Sequence, residues 1–301
     1  MKLHGSCLLA FSFLALPLLT PNASAGSIFG SDLDSFAVLG GAGVAFNGTG
    51  TTIVGSVGAC CQAVAITGAI PTNFTISGGT VQQGGLTATS AQNQLGTAIT
   101  ALNNSGPGSV LSTSTFELGG HTFTPGIYSI GSAADLTGTL TLDGSGNPDA
   151  LWVFLIGSGL TTASSSSVLL TNTGSGAGVF WSVLSSATLG SNSTFEGNIL
   201  ANQSITLDTN VTIPCGRLLT QVASVTFAGT DSIGGGCASL PASQGGGSGG
   251  LGGGGVITPG PGGPVVTAIP EPSAMVLLGC ATVVLFGKGI RQAKLRLTKT
   301  T

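Results

Sequence analysis

Charge is what this chain most lacks. Of its 301 residues, 7 are Lys or Arg, 10 are Asp or Glu and 2 are His, so charged residues make up 6 % of the chain, against about 25 % in an ordinary globular domain. From Gly26 to Ile269 the acids are Asp32, Asp34, Glu117, Asp135, Asp143, Asp149, Glu196, Asp208 and Asp231, and the one base is Arg217. Lys288, Arg291, Lys294, Arg296 and Lys299 crowd the C-terminus instead. A body with almost no Lys or Arg cannot neutralise phosphates, which argues against nucleic acid as a partner. His121 is the one histidine beyond the N-terminal segment and has no ligand spacing around it, so neither a metal site nor a cofactor is implied. Glycoside hydrolysis wants two convergent carboxylates. Here the acids sit mostly at turns, Glu196 and Asp208 are the best pair available, and nothing in the spacing places them together, so no enzyme is expected. Aromatic residues are also scarce, at 5 %, while 52 residues are Gly.

What the chain does contain is repetition. Ser186-Ala187-Thr188-Leu189, Ser204-Ile205-Thr206-Leu207 and Ser224-Val225-Thr226-Phe227 say nearly the same thing at a period near twenty, and each is followed by an echo: Thr194-Phe195, Thr212-Ile213, Ser232-Ile233. Such a period with short alternating runs is a solenoid signal. Side chains of a strand alternate faces, so Ala187, Leu189, Ile205, Leu207, Val225 and Phe227 are expected inside. Ser186, Thr188, Ser204, Thr206, Ser224 and Thr226 are expected on one outer face, and Thr194, Thr212, Thr230 and Ser232, with Asn192 and Asn210, on another. Stacked rungs would turn each outer face into a grid about 4.8 Å by about 6.6 Å. A third strand per rung, Phe180-Trp181, Ile199-Leu200 and Leu218-Leu219, is apolar at both parities and is therefore buried on both sides.

One helix is legible. Leu95, Ala98, Ile99 and Leu102 form a single apolar stripe, Thr89 with Gln92 reads as a capping box, and Gly106-Pro107 reads as a stop. The doubly apolar strands supply the surface this stripe needs, so the helix is expected along that face. Asp143 to Asp149 spaces oxygens like a calcium loop but lacks the full ligand set, and reads as a turn. Leu151 to Ile156 reads as a core strand.

The ends read differently. Residues 1–25 form a signal-peptide pattern: Lys2, an apolar run from Leu8 to Leu19, and Ala23-Ser24-Ala25 as the cleavage site. Export permits disulfides. A bond between adjacent Cys60 and Cys61 meets strained geometry, so this pair is expected to bond to Cys215 and Cys237 in an order left open. Residues 239–267 collapse to a Gly/Ser/Pro-rich linker.

Several segments together carry a family resemblance: Phe36-Ala37-Val38-Leu39-Gly40, Leu118-Gly119-Gly120, Thr124-Pro125-Gly126-Ile127-Tyr128, Leu136 to Asp143, Trp152 to Ser158, Val179-Phe180-Trp181 and Ser185 to Gly190. The span 26–238 resembles the ice-binding-like domain family. The resemblance implies an irregular right-handed β-helix of triangular cross-section with one long α-helix along a side, a discontinuous winding order, and a monomer that binds ice or ordered water through a flat Ser/Thr face. It also implies that Cys60 and Cys61 approach Cys215 and Cys237. It does not choose between the two hydroxyl faces.

Residues 268–301 resemble a PEP-CTERM sorting signal, with Pro270-Glu271-Pro272 as the motif, a short apolar run from Ala274 to Gly287 and a basic tail. That resemblance implies a Gram-negative bacterium, an exosortase-type processing enzyme, and a stay at the membrane that is transient or lasting. It leaves a second reading open, in which the domain is an adhesive or structural module associated with extracellular polysaccharide.

Overall fold

The computed structural model describes residues 28–60, 65–68 and 72–234. The signal-peptide pattern, the linker, the sorting-signal pattern, Cys61 and Cys237 lie outside these residues. The chain there is mainly β, and every paired strand runs parallel to its neighbours.

Each turn of the chain lays one strand in each of three sheets, in the same order every time. Sheet 1 has nine strands, ordered Val81–Gln83, Ser56–Ala59, Phe36–Gly40, Leu218–Thr220, Asn198–Ala201, Gly178–Val183, Leu151–Ile156, Gly126–Ile130, Ser109–Ser112. Sheet 2 has eight, ordered Ile66–Thr67, Gly43–Phe46, Ser224–Phe227, Ile205–Leu207, Ala187–Leu189, Leu160–Thr162, Ala134–Leu136, Phe116–Glu117. Sheet 3 falls into a three-stranded part (Thr122–Phe123, Thr139–Asp143, Ser167–Thr171) and a four-stranded part (Thr212–Ile213, Ser232–Ile233, Thr51–Val54, Phe74–Ser77). Single bridges from Thr194 to Ser167 and to Thr212 join the two parts.

The order is discontinuous. Val38 and Leu39 pair with Leu218 and Leu219, so the first rungs of the chain complete the stack beside the last.

Alternation explains the core. Ala187, Leu189, Ile205, Leu207, Val225 and Phe227 are all fully buried, as their parity requires. Parallel register stacks like on like: Phe154 lies on Trp181 at 4.3 Å between ring centroids and Phe46 on Phe227 at 5.0 Å, while Phe74 from sheet 3 stacks on Phe46 across the interior at 4.3 Å. The two indoles donate to backbone carbonyls of Phe123 and Glu196, which removes the cost of burying them.

The corner between sheets 2 and 3 needs a left-handed residue. Ser165, Asn192, Asn210 and Gly50 occupy equivalent corner positions, with φ of 63°, 60°, 65° and 79°. Asn and Gly tolerate that conformation better than other residues, which explains Asn192 and Asn210 here.

Two helices precede the long solenoid stretch: α1 (Ser31–Asp34) and α2 (Gly85–Asn103). Ala88, Ala91, Leu95, Ala98 and Leu102 of α2 bury against Leu39, Ile127, Val153, Phe180, Leu200 and Leu219, which point outward from sheet 1, and against Phe29, Leu33 and Phe36. The helix thus covers the doubly apolar strands.

Its start differs from the expectation. Helix α2 begins at Gly85, after Gly84 with no side-chain cap, and Thr89 lies a turn inside, donating its hydroxyl to the Gly85 carbonyl at 2.8 Å. Gln92 is no capping-box partner either: its amide donates to the Thr220 and Gln221 carbonyls, both at 2.8 Å, and so ties helix to solenoid. Tertiary partners took both side chains from their local roles.

Candidate functional site: two hydroxyl faces

With sheet 1 covered, sheets 2 and 3 hold the open faces. On sheet 2 the outward residues fall into one column by register: Glu117, Asp135, Thr161, Thr188, Thr206, Thr226, Ala45, Thr67. Thr188, Thr206 and Thr226 are half-buried at their edges, while Thr161 and Thr67 are exposed. Beside it runs a second column, Ser186, Ser204 and Ser224, in which the Ser204 and Ser186 hydroxyls hydrogen-bond at 2.9 Å. Ser and Thr sit two residues apart on each rung, about 6.6 Å, and rungs repeat at about 4.8 Å. The result is a two-column hydroxyl grid over three adjacent rungs of an unbroken sheet. Beyond Thr161 the column ends in two acids, Asp135 and then Glu117, whose carboxylate accepts the Gly119 and Thr137 N–H groups at 2.7 and 2.8 Å. Those hydrogen bonds outweigh slight burial and hold the Glu117 carboxyl below its ordinary range.

On sheet 3 the outward column is Thr139, Ser167, Thr194, Thr212, Ser232, Thr52, Thr75. Asn192, Asn210 and Thr230 belong to the corner rather than to a second column, with the Asn210 amide donating to Asn192 Oδ1 at 2.8 Å.

The ten residues expected on outer faces therefore all sit at open positions. The repeat left out others that the register adds: Thr161 and Thr67 on sheet 2, and Thr139, Ser167, Thr52 and Thr75 on sheet 3. Thr161 stands 27 residues before Thr188, whereas Thr206 follows 18 after it, so a fixed period misses it. The flanking pattern Leu160-Thr161-Thr162 was the signal available.

Other singled-out residues are dispersed. Glu196 follows Phe195 at one end of the sheet 3 rung and Asp208 follows Leu207 at the other, so the two carboxylates do not converge. Burial raises the Glu196 carboxyl to about 7, offset in part by the Cys215 N–H. Burial likewise raises Asp231 to about 6, against hydrogen bonds from the Val211 and Gly229 N–H groups. The Asp143 loop is a turn, in which Asp143 accepts from the Ser145 N–H and the Asn172 amide. His121 stacks against Phe116 and Phe123.

Of the expected cysteine pairings, the described residues bear on one, Cys60 with Cys215. Cys60 follows Ser56–Ala59 at the far end of sheet 1, while Cys215 precedes Leu218–Thr220 at its near end. The register through Phe36–Gly40 separates them by about 10 Å or more along the strands, beyond the reach of a disulfide.

Arg217 is the one Lys or Arg among the described residues, and it is buried in structure rather than offered to a ligand. It pairs with Asp34 at 2.6 Å, donates to Asn198, and lies over the Phe29 ring at 5.1 Å. No helix among the described residues is long and apolar enough to cross a membrane.

A fold of this kind, with two hydroxyl faces and one helix-covered face, can be compared with known proteins. The ice-binding-like family model matches residues 38–232. The chain belongs to that family. An ice-binding protein of Nostoc sp. (strain HG1) is 41 % identical over 244 residues, 80 % of this chain and 87 % of the relative. Ice-binding protein 1 of Shewanella frigidimarina is 36 % identical over 37 % of this chain, and that match spans 13 % of the relative. Among solved structures, the ice-binding protein of the Antarctic ascomycete Antarctomyces psychrotrophicus superposes with a TM-score of 0.61 at 37 % identity, covering 67 % of this chain and 95 % of that one.

Proposed function

We propose that this protein binds ice through the outer face of sheet 2, acting on ice growth or recrystallisation without catalysing a reaction. The observation that carries the reading is the in-register hydroxyl grid of Ser186, Thr188, Ser204, Thr206, Ser224 and Thr226, extended by Thr161 and Thr67. Family membership and the Nostoc relative support the ligand. The choice of sheet 2 over sheet 3 rests on shape: an unbroken sheet carries two hydroxyl columns side by side over three rungs, whereas sheet 3 is joined through Thr194 alone and offers one column.

The chemistry follows from the array. Each Thr presents a hydroxyl that bonds water and a methyl that does not, on a backbone whose stacked rungs cannot easily shift. Water held between such groups is ordered before ice arrives, so the entropic cost of ordering it at the interface falls. An uncharged grid also avoids the strongly hydrated groups that would hold liquid-like water. The winding is read as a right-handed β-helix of triangular section, a reading supported by the three-sheet cycle and by the solved ice-binding structures.

Export, the PEP-CTERM tail with its exosortase partner, and disulfide staples are part of the same proposal. Cys60 and Cys215 are each disulfide-bonded, which supports an oxidising compartment; their distance apart gives each a different partner.

The test is recrystallisation inhibition by the purified protein and by Thr206→Tyr. The bulky ring at the middle rung is expected to weaken inhibition several-fold while circular dichroism stays unchanged. Inhibition as strong as that of the unaltered protein would remove sheet 2 from the reading. No inhibition by the unaltered protein, with retention on exopolysaccharide, would replace it with the adhesive module.

A further inference from the structure

The hydroxyl column of sheet 3 has its own regularity. All seven of its in-register positions are Ser or Thr, and none is charged. At about 4.8 Å per rung the row runs about 29 Å. Thr is a good strand former, and a general preference for it could coat any solenoid. Two observations argue against that account here. Val and Ile form strands equally well, yet neither occurs in the row. Two residues further along the same strands, the positions of the same parity are Thr141, Leu169, Glu196, Pro214, Gly234, Val54 and Ser77, of which only two carry a hydroxyl. An unbroken run of hydroxyls therefore belongs to one line of the face and not to its neighbour.

The line is also assembled from distant parts of the chain. Thr52 and Thr75 come from the first rungs and continue a column whose other members run from Thr139 to Ser232. Where side chains meet they are ordered: the Thr139 and Ser167 hydroxyls hydrogen-bond at 2.9 Å, and the neighbouring Asn210 and Asn192 amides at 2.8 Å. Between sheets 2 and 3 the chain turns at the left-handed corner, so the two faces point in different directions.

We infer that the outer face of sheet 3 is a second ice-contacting surface, whose single row engages a different set of ice planes from the grid on sheet 2. This rests on the reading of sheet 2 as ice-binding. The ligand class is the same, an ordered water lattice, but the match is one-dimensional: a row fits any plane containing a water row of its spacing, whereas a grid must match in two directions. A molecule with both surfaces can hold two growth directions at once, or bridge two crystals.

The experiment grows a single ice crystal as a hemisphere in a solution of the full chain fused to a fluorescent protein and records which planes it labels. The unaltered protein is expected to label two sets of planes. Thr212→Tyr is expected to lose one set and keep the other, and Thr206→Tyr to do the converse. Labelling by Thr212→Tyr that is identical to the unaltered protein would overturn the second surface while leaving sheet 2 intact. No labelling by the unaltered protein would overturn the ice reading itself. Thr194→Lys, at an exposed position of the same row, provides an independent variant should Thr212→Tyr melt early; it must lose the same set of planes.

Discussion

Sheet 1 and sheet 2 are parallel stacks threaded by the same rungs, yet one lies beneath helix α2 and the other is open. The inward sides are alike, lined by buried aliphatic and aromatic residues. The outward sides are not: sheet 1 presents Leu39, Val153, Phe180, Leu200 and Leu219, and sheet 2 presents Thr161, Thr188, Thr206 and Thr226. A few outward residues per sheet therefore decide whether a face recruits a cover or stays available. Each apolar side chain on sheet 1 contributes about 1.5–3 kcal/mol once the helix removes it from water, and no comparable gain exists on sheet 2.

That contrast can be broken in order of effect. Arg217→Ala attacks the clasp that holds the α1 segment against the covered side. Burial raises the Asp34 carboxyl, and the guanidinium pulls it back toward the charged form. Removing the partner of this ion pair is expected to cost about 3–5 kcal/mol in denaturant unfolding. Leu200→Ala leaves the helix in place but opens a cavity beneath it, with an expected loss of about 2–5 kcal/mol. A loss below about 1 kcal/mol would mean the helix collapses onto the gap and contributes little.

The third prediction concerns pH. Glu196 binds its proton more tightly in the folded state, up to about 7, than its ordinary 4.5. The folded protein thus holds the extra proton between those values. The resulting stability is fully present below about 4.5 and is lost as pH rises through about 7. Melting temperature should therefore fall across this window, and Glu196→Gln should flatten the fall. An unchanged slope in the variant would assign the window to Asp231, whose shift to about 6 acts in the same direction.

The smallest effect belongs to the open face. Thr206→Tyr should change unfolding free energy by no more than about 0.5 kcal/mol, because the side chain faces outward from the core. Paired with weakened ice activity, that result would sharpen the division between the two sheets: stability on one and function on the other. A large destabilisation would mean that Thr206 packs on its neighbours.

Much of this was legible in the residues. Ala187, Leu189, Ile205 and Leu207 alternate with Ser and Thr strictly enough to name their faces, and Phe180-Trp181 with Leu218-Leu219 announce a strand covered on both sides. The stripe Leu95, Ala98 and Leu102 found its surface as expected. Helix α2's start was misread because Thr89 and Gln92 fit a local capping motif, while Gln92 satisfies carbonyls 128 and 129 residues away.

By itself, then, the sequence determined which side of each strand is apolar, since parity is a property of the backbone. It also determined that one helix has one stripe to bury. Only the tertiary structure decided which strands are neighbours. Thr52 joins Ser232 and Ala45 joins Thr226 across some 180 residues, pairings with no local signal because parallel strands meet through long connections whose length says nothing of register. Those pairings turn three repeats into full columns, and with them a sheet pattern into a candidate ice surface.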